Sequence, residues 1–158
     1  MNVFVNRKFK GNEKRILEVL EKHFPYAFSM TKNYISDGSY LDFLHVCILR
    51  DIDFNYKGVL AFYDVAEVLK AHPEQDVEVW GENANEVYVA FLEVAGDWRE
   101  MNLGVDMMDL LQDRYFGRVL ALTSKSDELV DKYYLKTGRF KINSDTNRRK
   151  LVFIKDFD

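Results

Sequence analysis

The sequence predicts an α/β domain built around one mixed β-sheet, and three observations lead there. Residues 86–94 alternate strongly, with Val87, Val89 and Phe91 facing one way and Tyr88, Ala90, Leu92 and Val94 the other. Both sets are largely apolar, the pattern of a central strand covered on both faces. A loop and a helical period then separate this strand from a short continuous apolar run, Val119-Leu120-Ala121-Leu122, which fits a second buried strand. Residues 140–157 close the chain as a hairpin, so strand, loop, helix, strand, helix and hairpin follow one another.

Residues 2–6 read as a first strand, and Asn12 is placed to cap a helix running to about His23, with Ile16, Leu20 and Phe24 on one face. Pro25 is read as its end. Residues 26–40 are aromatic and rich in Ser, Asn and Gly, a composition that fits a short helix followed by a loop. Residues 44–50 and 58–63 form two strands joined by a polar turn, and a helix over 64–71 is closed by Pro73. In the second half, Val105, Met108, Leu111 and Tyr115 mark a helix over 105–115 that Gly117 stops. Ser126 or Asp127 caps another that reaches Thr137 and ends at Gly138. The hairpin pairs 140–143 with 150–157 around Ser144-Asp145-Thr146-Asn147. No repeat, low-complexity tract or linker interrupts the chain, so residues 1–158 are expected to form a single domain.

Composition narrows the function classes. The chain has 158 residues, 47% apolar and 30% charged, which is enough to bury a core and characteristic of a soluble globular protein. No apolar run is long enough to cross a bilayer, and the first residues lack the apolar stretch of a signal peptide. The single Cys47 can form no internal disulfide, so the cytoplasm is the expected compartment. A net charge of -4 opposes nucleic-acid binding. The one compact basic run, Arg148-Arg149-Lys150, reads as a solvated hairpin edge rather than a phosphate patch. His45 and Cys47 share a strand face but have no third ligand near them, so a buried cysteine beside a packed histidine is expected, and no metal.

The loop at residues 95–104 carries the chemistry. A buried strand delivers it directly onto a helix N-terminus, where backbone amides lack intrahelical partners and the helix dipole adds positive potential. That arrangement is a seat for a pyrophosphate, although the same glycines serve an ordinary strand-to-helix connection equally well. Gly104 allows close approach of the backbone, and Asn102 is one of the few non-glycine residues that tolerates a left-handed conformation. No Lys-Ser or Lys-Thr follows the glycine, and no Gly-x-Gly-x-x-Gly is present, so neither a Walker loop nor a dinucleotide loop fits.

Val94-Ala95-Gly96-Asp97-Trp98-Arg99-Glu100-Met101-Asn102-Leu103-Gly104 resembles the signature of the GNAT superfamily of acyl-CoA-dependent N-acetyltransferases. That signature is Val-x-Pro-x-aromatic-Arg, then Arg/Gln-x-x-Gly-x-Gly/Ala. Val94, Trp98, Arg99 and Gly104 fall in register, while Gly96 stands where proline is usual and Asn102 where the first glycine is usual. Residues 90–94, Ala-Phe-Leu-Glu-Val, resemble the strand entering this loop in histone-type members. A second stretch, residues 127–138, is similar to the family's Asn-x-x-Ala-x-x-apolar-Tyr-x-x-x-Gly-Phe helix. Tyr134 lands on the tyrosine, Asp127 replaces Asn, Val130 replaces Ala, and Arg139 intervenes before Phe140. The resemblance covers about residues 86–140; the first half matches only in its pattern of elements.

The resemblance implies a single mixed, mostly antiparallel sheet flanked by helices, with a C-terminal β-hairpin. Residues 1–85 would supply the acceptor-groove elements, 86–140 the CoA-binding core and 141–158 the hairpin. Acetyl-CoA, or another acyl-CoA, would be the cosubstrate. Backbone groups near Leu92 and Val94 would bind the pantetheine and polarise the thioester, amides of Arg99, Glu100, Met101, Asn102, Leu103 and Gly104 would hold the pyrophosphate, and Asp127 would join them. The reaction implied is direct attack of a primary amine on the thioester. Tyr134 is the candidate proton donor to the departing thiolate, because a phenol and a thiol have similar reference pKa values; core packing is the alternative reading for Tyr134 and the expected one for Tyr133. The histone-type base position is Tyr88 here. Glu86, two residues earlier on the same face, is then a candidate base acting through a water, or else a solvated strand-end glutamate; Glu93 points to the opposite face. Tyr26, Phe28, Tyr34, Tyr40 and Phe43 read equally as acceptor groove or core. The acceptor is an amine of a small molecule or protein; a catalytically weak CoA-binding or protein-interaction module is the alternative. The acidic balance argues against acylation of aminoacyl-tRNA. Monomer and homodimer are both compatible with the hairpin edge.

Overall fold

A computed structural model describes residues 1–38, 40–74, 85–99, 102–124, 126–145 and 149–154. Seven strands form one mixed sheet: β1 (Asn2–Lys8), β2 (His45–Asp51), β3 (Tyr56–Asp64), β4 (Glu86–Val94), β5 (Val119–Ser124), β6 (Phe140–Asp145) and β7 (Arg149–Phe153). Their order is β1-β2-β3-β4-β5-β7-β6, so β7 lies inside and β6 forms the edge. β4 and β5 are parallel, whereas β1–β2, β2–β3, β5–β7 and β6–β7 are antiparallel. The helices are α1 (Glu13–His23), α2 (Pro25–Asp37), α3 (Val65–Ala71), α4 (Leu103–Arg114) and a composite segment, α5, over 127–137. The mixed α/β architecture expected from the sequence is therefore present. The hairpin turn at Thr146 and Asn147 lies outside the described residues, as does Arg148.

The chain divides into two compact units. The first comprises Met1–Tyr63 with Ala90–Met107. Its meander of β1, β2 and β3 aligns Phe4 with Leu49 and Cys47 with Leu60, all buried. His45 stacks on Phe62 with ring centroids 4.7 Å apart, and Cys47 is fully enclosed, as expected of a packed pair. Among the described residues no group of His, Cys, Asp or Glu is placed to hold a metal. Gly58 is required by packing: a Cβ there would meet the Met107 thioether at 2.6 Å, so its absence lets the first turns of α4 settle against β3.

Two details of this unit differ from the sequence reading. Asn12 opens α1 with its carbonyl, which accepts the Ile16 amide at 3.0 Å, but its side chain turns back to donate to the Lys8 carbonyl at 2.9 Å. Pro25 does not merely end α1; it begins α2, a helix of 13 residues. Proline suits the first helical position, where its fixed φ is helical and its missing amide has no partner to lose. The break between the two helices is one residue, Phe24, whose ring is fully buried. Gly38 ends α2 in the left-handed conformation, with φ 74°.

The second unit comprises Asp64–Val89 with Met108–Asp158. Asp64 caps α3 by accepting the Ala66 amide at 3.1 Å. Its carboxylate also meets Arg118 at 2.6 Å, and the same guanidinium donates to the carbonyls of Asn85 and Glu86 at 3.0 and 3.1 Å. Arg118 thereby ties the entry of β4 to the entry of β5. Arg139 makes a comparable tie, pairing with Asp109, donating to the Ile154 carbonyl at 3.1 Å and lying 4.8 Å over Phe153. The segment expected as one regular helix is composite: an α turn at Asp127–Leu129, a π turn at Val130–Tyr134 and a 3-10 turn at Leu135–Thr137. Its cap is Ser126, whose hydroxyl accepts the Leu129 amide at 3.1 Å.

Candidate functional site

β4 presents two different faces. Val87, Val89, Phe91 and Glu93 are buried, whereas Tyr88, Ala90, Leu92 and Val94 are only half-buried. The expectation of a strand covered on both faces therefore needs correction, since one face stays partly open along most of its length. The parallel register of β4 with β5 runs from Glu86↔Val119 to Val89↔Leu122.

Within the first unit, the exit of β4 is held against β3. The Ala95 amide donates to the Lys57 carbonyl at 2.9 Å. A 3-10 turn, Gly96–Trp98, follows and is closed by the Trp98 amide donating to the Ala95 carbonyl at 2.9 Å. The Arg99 side chain folds back, with Nε donating to the Val94 carbonyl at 3.2 Å. Lys57 places its ammonium 4.2 Å from the centroid of the Trp98 ring and donates to Asn2 Oδ1 at 2.8 Å. Glu100 and Met101 lie outside the described residues.

Asn102 has φ 56°, the left-handed conformation that its residue type tolerates. Its carbonyl accepts the Asp106 amide at 3.0 Å, the first bond of α4. The amides of Leu103, Gly104 and Val105 precede that bond, at the positive end of the helix dipole. Gly104 is buried and Asn102 exposed. Leu92 and Val94 thus lie at the strand end, Arg99 just after the turn, and Asn102, Leu103 and Gly104 at the helix start, and each of these three described parts carries a short hydrogen bond. Such an arrangement can hold a phosphate through main-chain donors.

Tyr134, Asp127 and Glu86 belong to the second unit. Tyr134 ends the π turn and is 8% exposed. Its ring packs edge-on against Tyr133 and Phe140, with centroids 5.1 and 4.9 Å away. Asp127 pairs with Arg149 at 3.3 Å, and Arg149 also reaches Asp131 at 3.3 Å. Glu86 is not a solvated strand-end glutamate. It is 2% exposed, and Lys150 donates to both of its oxygens, at 2.7 and 3.0 Å. Lys150 is likewise buried, so the basic run is no solvated hairpin edge at that residue, and Arg149 is neutralised by two aspartates. Tyr88, at the histone-type base position, shares a hydrogen bond of 2.8 Å with Thr123.

Glu93, weighed in the sequence only as a glutamate on the face opposite Glu86, has a structural role in the first unit that the sequence did not reveal. Its buried carboxylate accepts the Ala27 amide at 2.7 Å, which satisfies an otherwise unpartnered donor in the first turn of α2. Only the spacing of a lone glutamate among apolar strand residues hinted at it. Among the aromatic residues of 26–43, Tyr26 is exposed, while Phe28, Tyr34, Tyr40 and Phe43 are half-buried.

Neither a protein-family model nor a curated protein matches the amino-acid sequence. Solved structures do match. The GNAT family N-acetyltransferase YhbS from Escherichia coli, determined in complex with CoA, aligns with a TM-score of 0.58 at 18% identity, over 96% of this chain and 80% of that one. A histone acetyltransferase HPA2-related protein from Corynebacterium glutamicum aligns with a TM-score of 0.60 at 12% identity, over 99% and 98%. The chain has the GNAT fold. The ribosomal-protein-S18-alanine N-acetyltransferase from Escherichia coli is a further structural neighbour, with a TM-score of 0.59 at 11% identity, over 97% and 93%.

Within this GNAT fold the two departures from the signature have local explanations. Asn102 adopts at the first-glycine position the positive φ that glycine would supply without steric cost. Gly96 opens the 3-10 turn, and an added Cβ there would meet nothing within 4 Å, so packing does not require a glycine at this position. The preceding Ala95, at φ -59° and ψ 146°, already has the extended conformation that proline demands of its neighbour.

Proposed function

We propose that the protein is an acyl-CoA-dependent N-acyltransferase that moves an acetyl group from acetyl-CoA to a primary amine of a small molecule or protein. The observation that carries the reading is Asn102 in the left-handed conformation at the start of α4, in a chain with the GNAT fold. Its carbonyl accepts the Asp106 amide and so opens the helix, whose first amides are main-chain donors suited to a pyrophosphate. In this reading Arg99, Glu100, Met101, Asn102, Leu103 and Gly104 hold the pyrophosphate, with Asp127 as a further cofactor contact. Main-chain groups at Leu92 and Val94, on the half-buried face of β4, bind the pantetheine and polarise the thioester carbonyl.

The amine attacks that carbonyl directly, the C–S bond breaks, and the departing thiolate takes a proton from Tyr134. Glu86 is no longer the base in this scheme, because both its oxygens accept from a buried ammonium. The amine loses its proton to water instead. Cytoplasmic residence accompanies the reading, with no membrane partner proposed.

Titration with CoA and acetyl-CoA, followed by free-thiol release with pools of amines and peptides, tests the proposal. Binding with turnover supports it; a parent protein that binds neither ligand ends it. The commitment of Glu86 to Lys150 favours a second reading, a CoA-binding module with weak catalysis. Thermal stabilisation by CoA without thiol release on any amine is its signature.

A further inference from the structure

We infer that the hydroxyl pair Tyr88–Thr123 binds the acceptor and selects weakly basic primary amines, those present as free base near neutral pH; the inference deepens the acyl-CoA reading above and rests on it. Both residues belong to the second unit. Tyr88 Oη and Thr123 Oγ1 lie 2.8 Å apart and join β4 to β5, its parallel neighbour. In the register Tyr88 stands opposite Ala121, yet its hydroxyl meets Thr123, two residues nearer the carboxyl end of β5. The ring therefore leans toward the carboxyl ends of both strands. Ligands of open α/β sheets bind outside the carboxyl ends of parallel strands, and Tyr88 is only half-buried.

The charges on this face set what the pair can bind. Alternation along β4 puts Glu86 on the same face as Tyr88, and the β5–β7 register puts Lys150 opposite Thr123. Glu86 is the one carboxylate among the described strand residues of this face in the second unit, and Lys150 donates to both of its oxygens. Lys141 on β6, aligned with Val152 and exposed, adds another ammonium. An alkylammonium finds no spare counter-charge there. A hydroxyl pair is uncharged and suits a neutral amine. When Tyr88 donates to Thr123, the phenol oxygen keeps a lone pair to accept an amine N–H, and the nitrogen lone pair stays free to attack. The C–N bond forms and the C–S bond breaks; the nitrogen's surplus proton leaves to water, and the thiolate takes one from Tyr134. A lysine-type amine, with a reference pKa of about 10.4, is almost wholly protonated at pH 7, whereas an α-amine, at about 7.8, is roughly a tenth free base. Aryl amines and hydrazides are weaker bases still.

The test measures kcat/KM by thiol release from acetyl-CoA in the parent, Tyr88→Phe, Thr123→Val and Tyr88→Glu, with thermal midpoints alongside. One acceptor set holds α-amino amides, aryl amines and hydrazides; the other holds alkylamines and lysine ε-amines of matched size. The parent should favour the first set by about 100-fold or more. Tyr88→Phe and Thr123→Val should each lower kcat/KM on that set by about tenfold, with the KM for acetyl-CoA unchanged. Tyr88→Glu supplies a counter-charge and should shrink the preference by at least about tenfold. A parent that favours the second set overturns the inference alone, as do Tyr88→Phe and Thr123→Val variants that match the parent on every amine. Acetyl-CoA binding without turnover on either set also overturns it and leaves the cofactor reading standing. A parent that binds no acyl-CoA overturns both together.

Discussion

Lys150 and Glu86 form a buried ion pair on two strands separated by β5, with the ammonium 2.7 and 3.0 Å from the two carboxylate oxygens. Their side chains are only 10% and 3% exposed. Removing one partner strands a buried charge, so Lys150→Met is expected to destabilise the protein by about 3–5 kcal/mol. The double variant Glu86→Leu with Lys150→Met, which removes both charges, should recover much of that loss. Denaturant unfolding of the two singles and the double measures the coupling. Recovery of stability with undiminished thiol release would assign Glu86 to the fold alone.

Glu93 satisfies the start of α2 from a distance of 66 residues in the chain. Glu93→Leu leaves the buried Ala27 amide without an acceptor and is expected to cost about 1–3 kcal/mol. Glu93→Gln keeps an acceptor oxygen and should cost less than half as much. Urea unfolding of the pair of variants distinguishes the hydrogen bond from the volume change.

Asn102 should accept glycine and refuse a branched residue. Asn102→Gly is expected to keep CoA affinity, whereas Asn102→Val must hold φ near 56° against its Cβ substituents, at about 1–2 kcal/mol. Calorimetric titration with CoA and thermal unfolding read both effects. Equal CoA affinity in Asn102→Val would detach the left-handed residue from the ligand.

Tyr134→Phe removes only the hydroxyl from a ring that packs on Tyr133 and Phe140. If the phenol protonates the thiolate, turnover should fall about 100-fold or more while CoA affinity holds. A variant that releases thiol as fast as the parent reduces the residue to packing.

The turn between β2 and β3 should loosen in acid. The Asp51 carboxyl is held below its ordinary pKa by the Asn55 main-chain amide, then the Asn55 side chain, with the Asp53 amide and the Lys57 charge adding to these. Its stabilising contribution is thus complete above the unfolded-state value of about 3.9 and is lost as pH falls through the lower folded-state value. Thermal midpoints of the parent and Asp51→Asn should differ most near neutrality and converge at the acid end.

Elements whose signal is periodic along a few turns or residues were legible in the sequence: α1, α4, β4 and β5 all stand within a few residues of their expected limits. Pro25 was misleading because proline marks the end of one helix and the beginning of another equally well, and only the burial of Phe24 separates the two cases. The register of the loop could be read because its residues are covalent neighbours. Lys150 and Glu86 could not be paired, since they stand 64 positions apart in the chain and each belongs to a locally convincing solvated pattern. The conformation of Asn102 was anticipated by its residue type, but the tie between Lys57 and Trp98 joins separate stretches of chain that local pattern cannot relate.

The π turn at Val130–Tyr134 has a consequence for how the chain tolerates changes in length. A π turn is a helix carrying one surplus residue, accommodated locally instead of being passed on. Deleting a single residue there would let the segment relax to a regular α-helix, with about 100° of rotation per residue. Tyr134 would then point to a different side of the segment, although its immediate neighbours in sequence were unchanged. The direction of that hydroxyl is accordingly a property of residue count, open to change by a one-codon deletion as readily as by substitution.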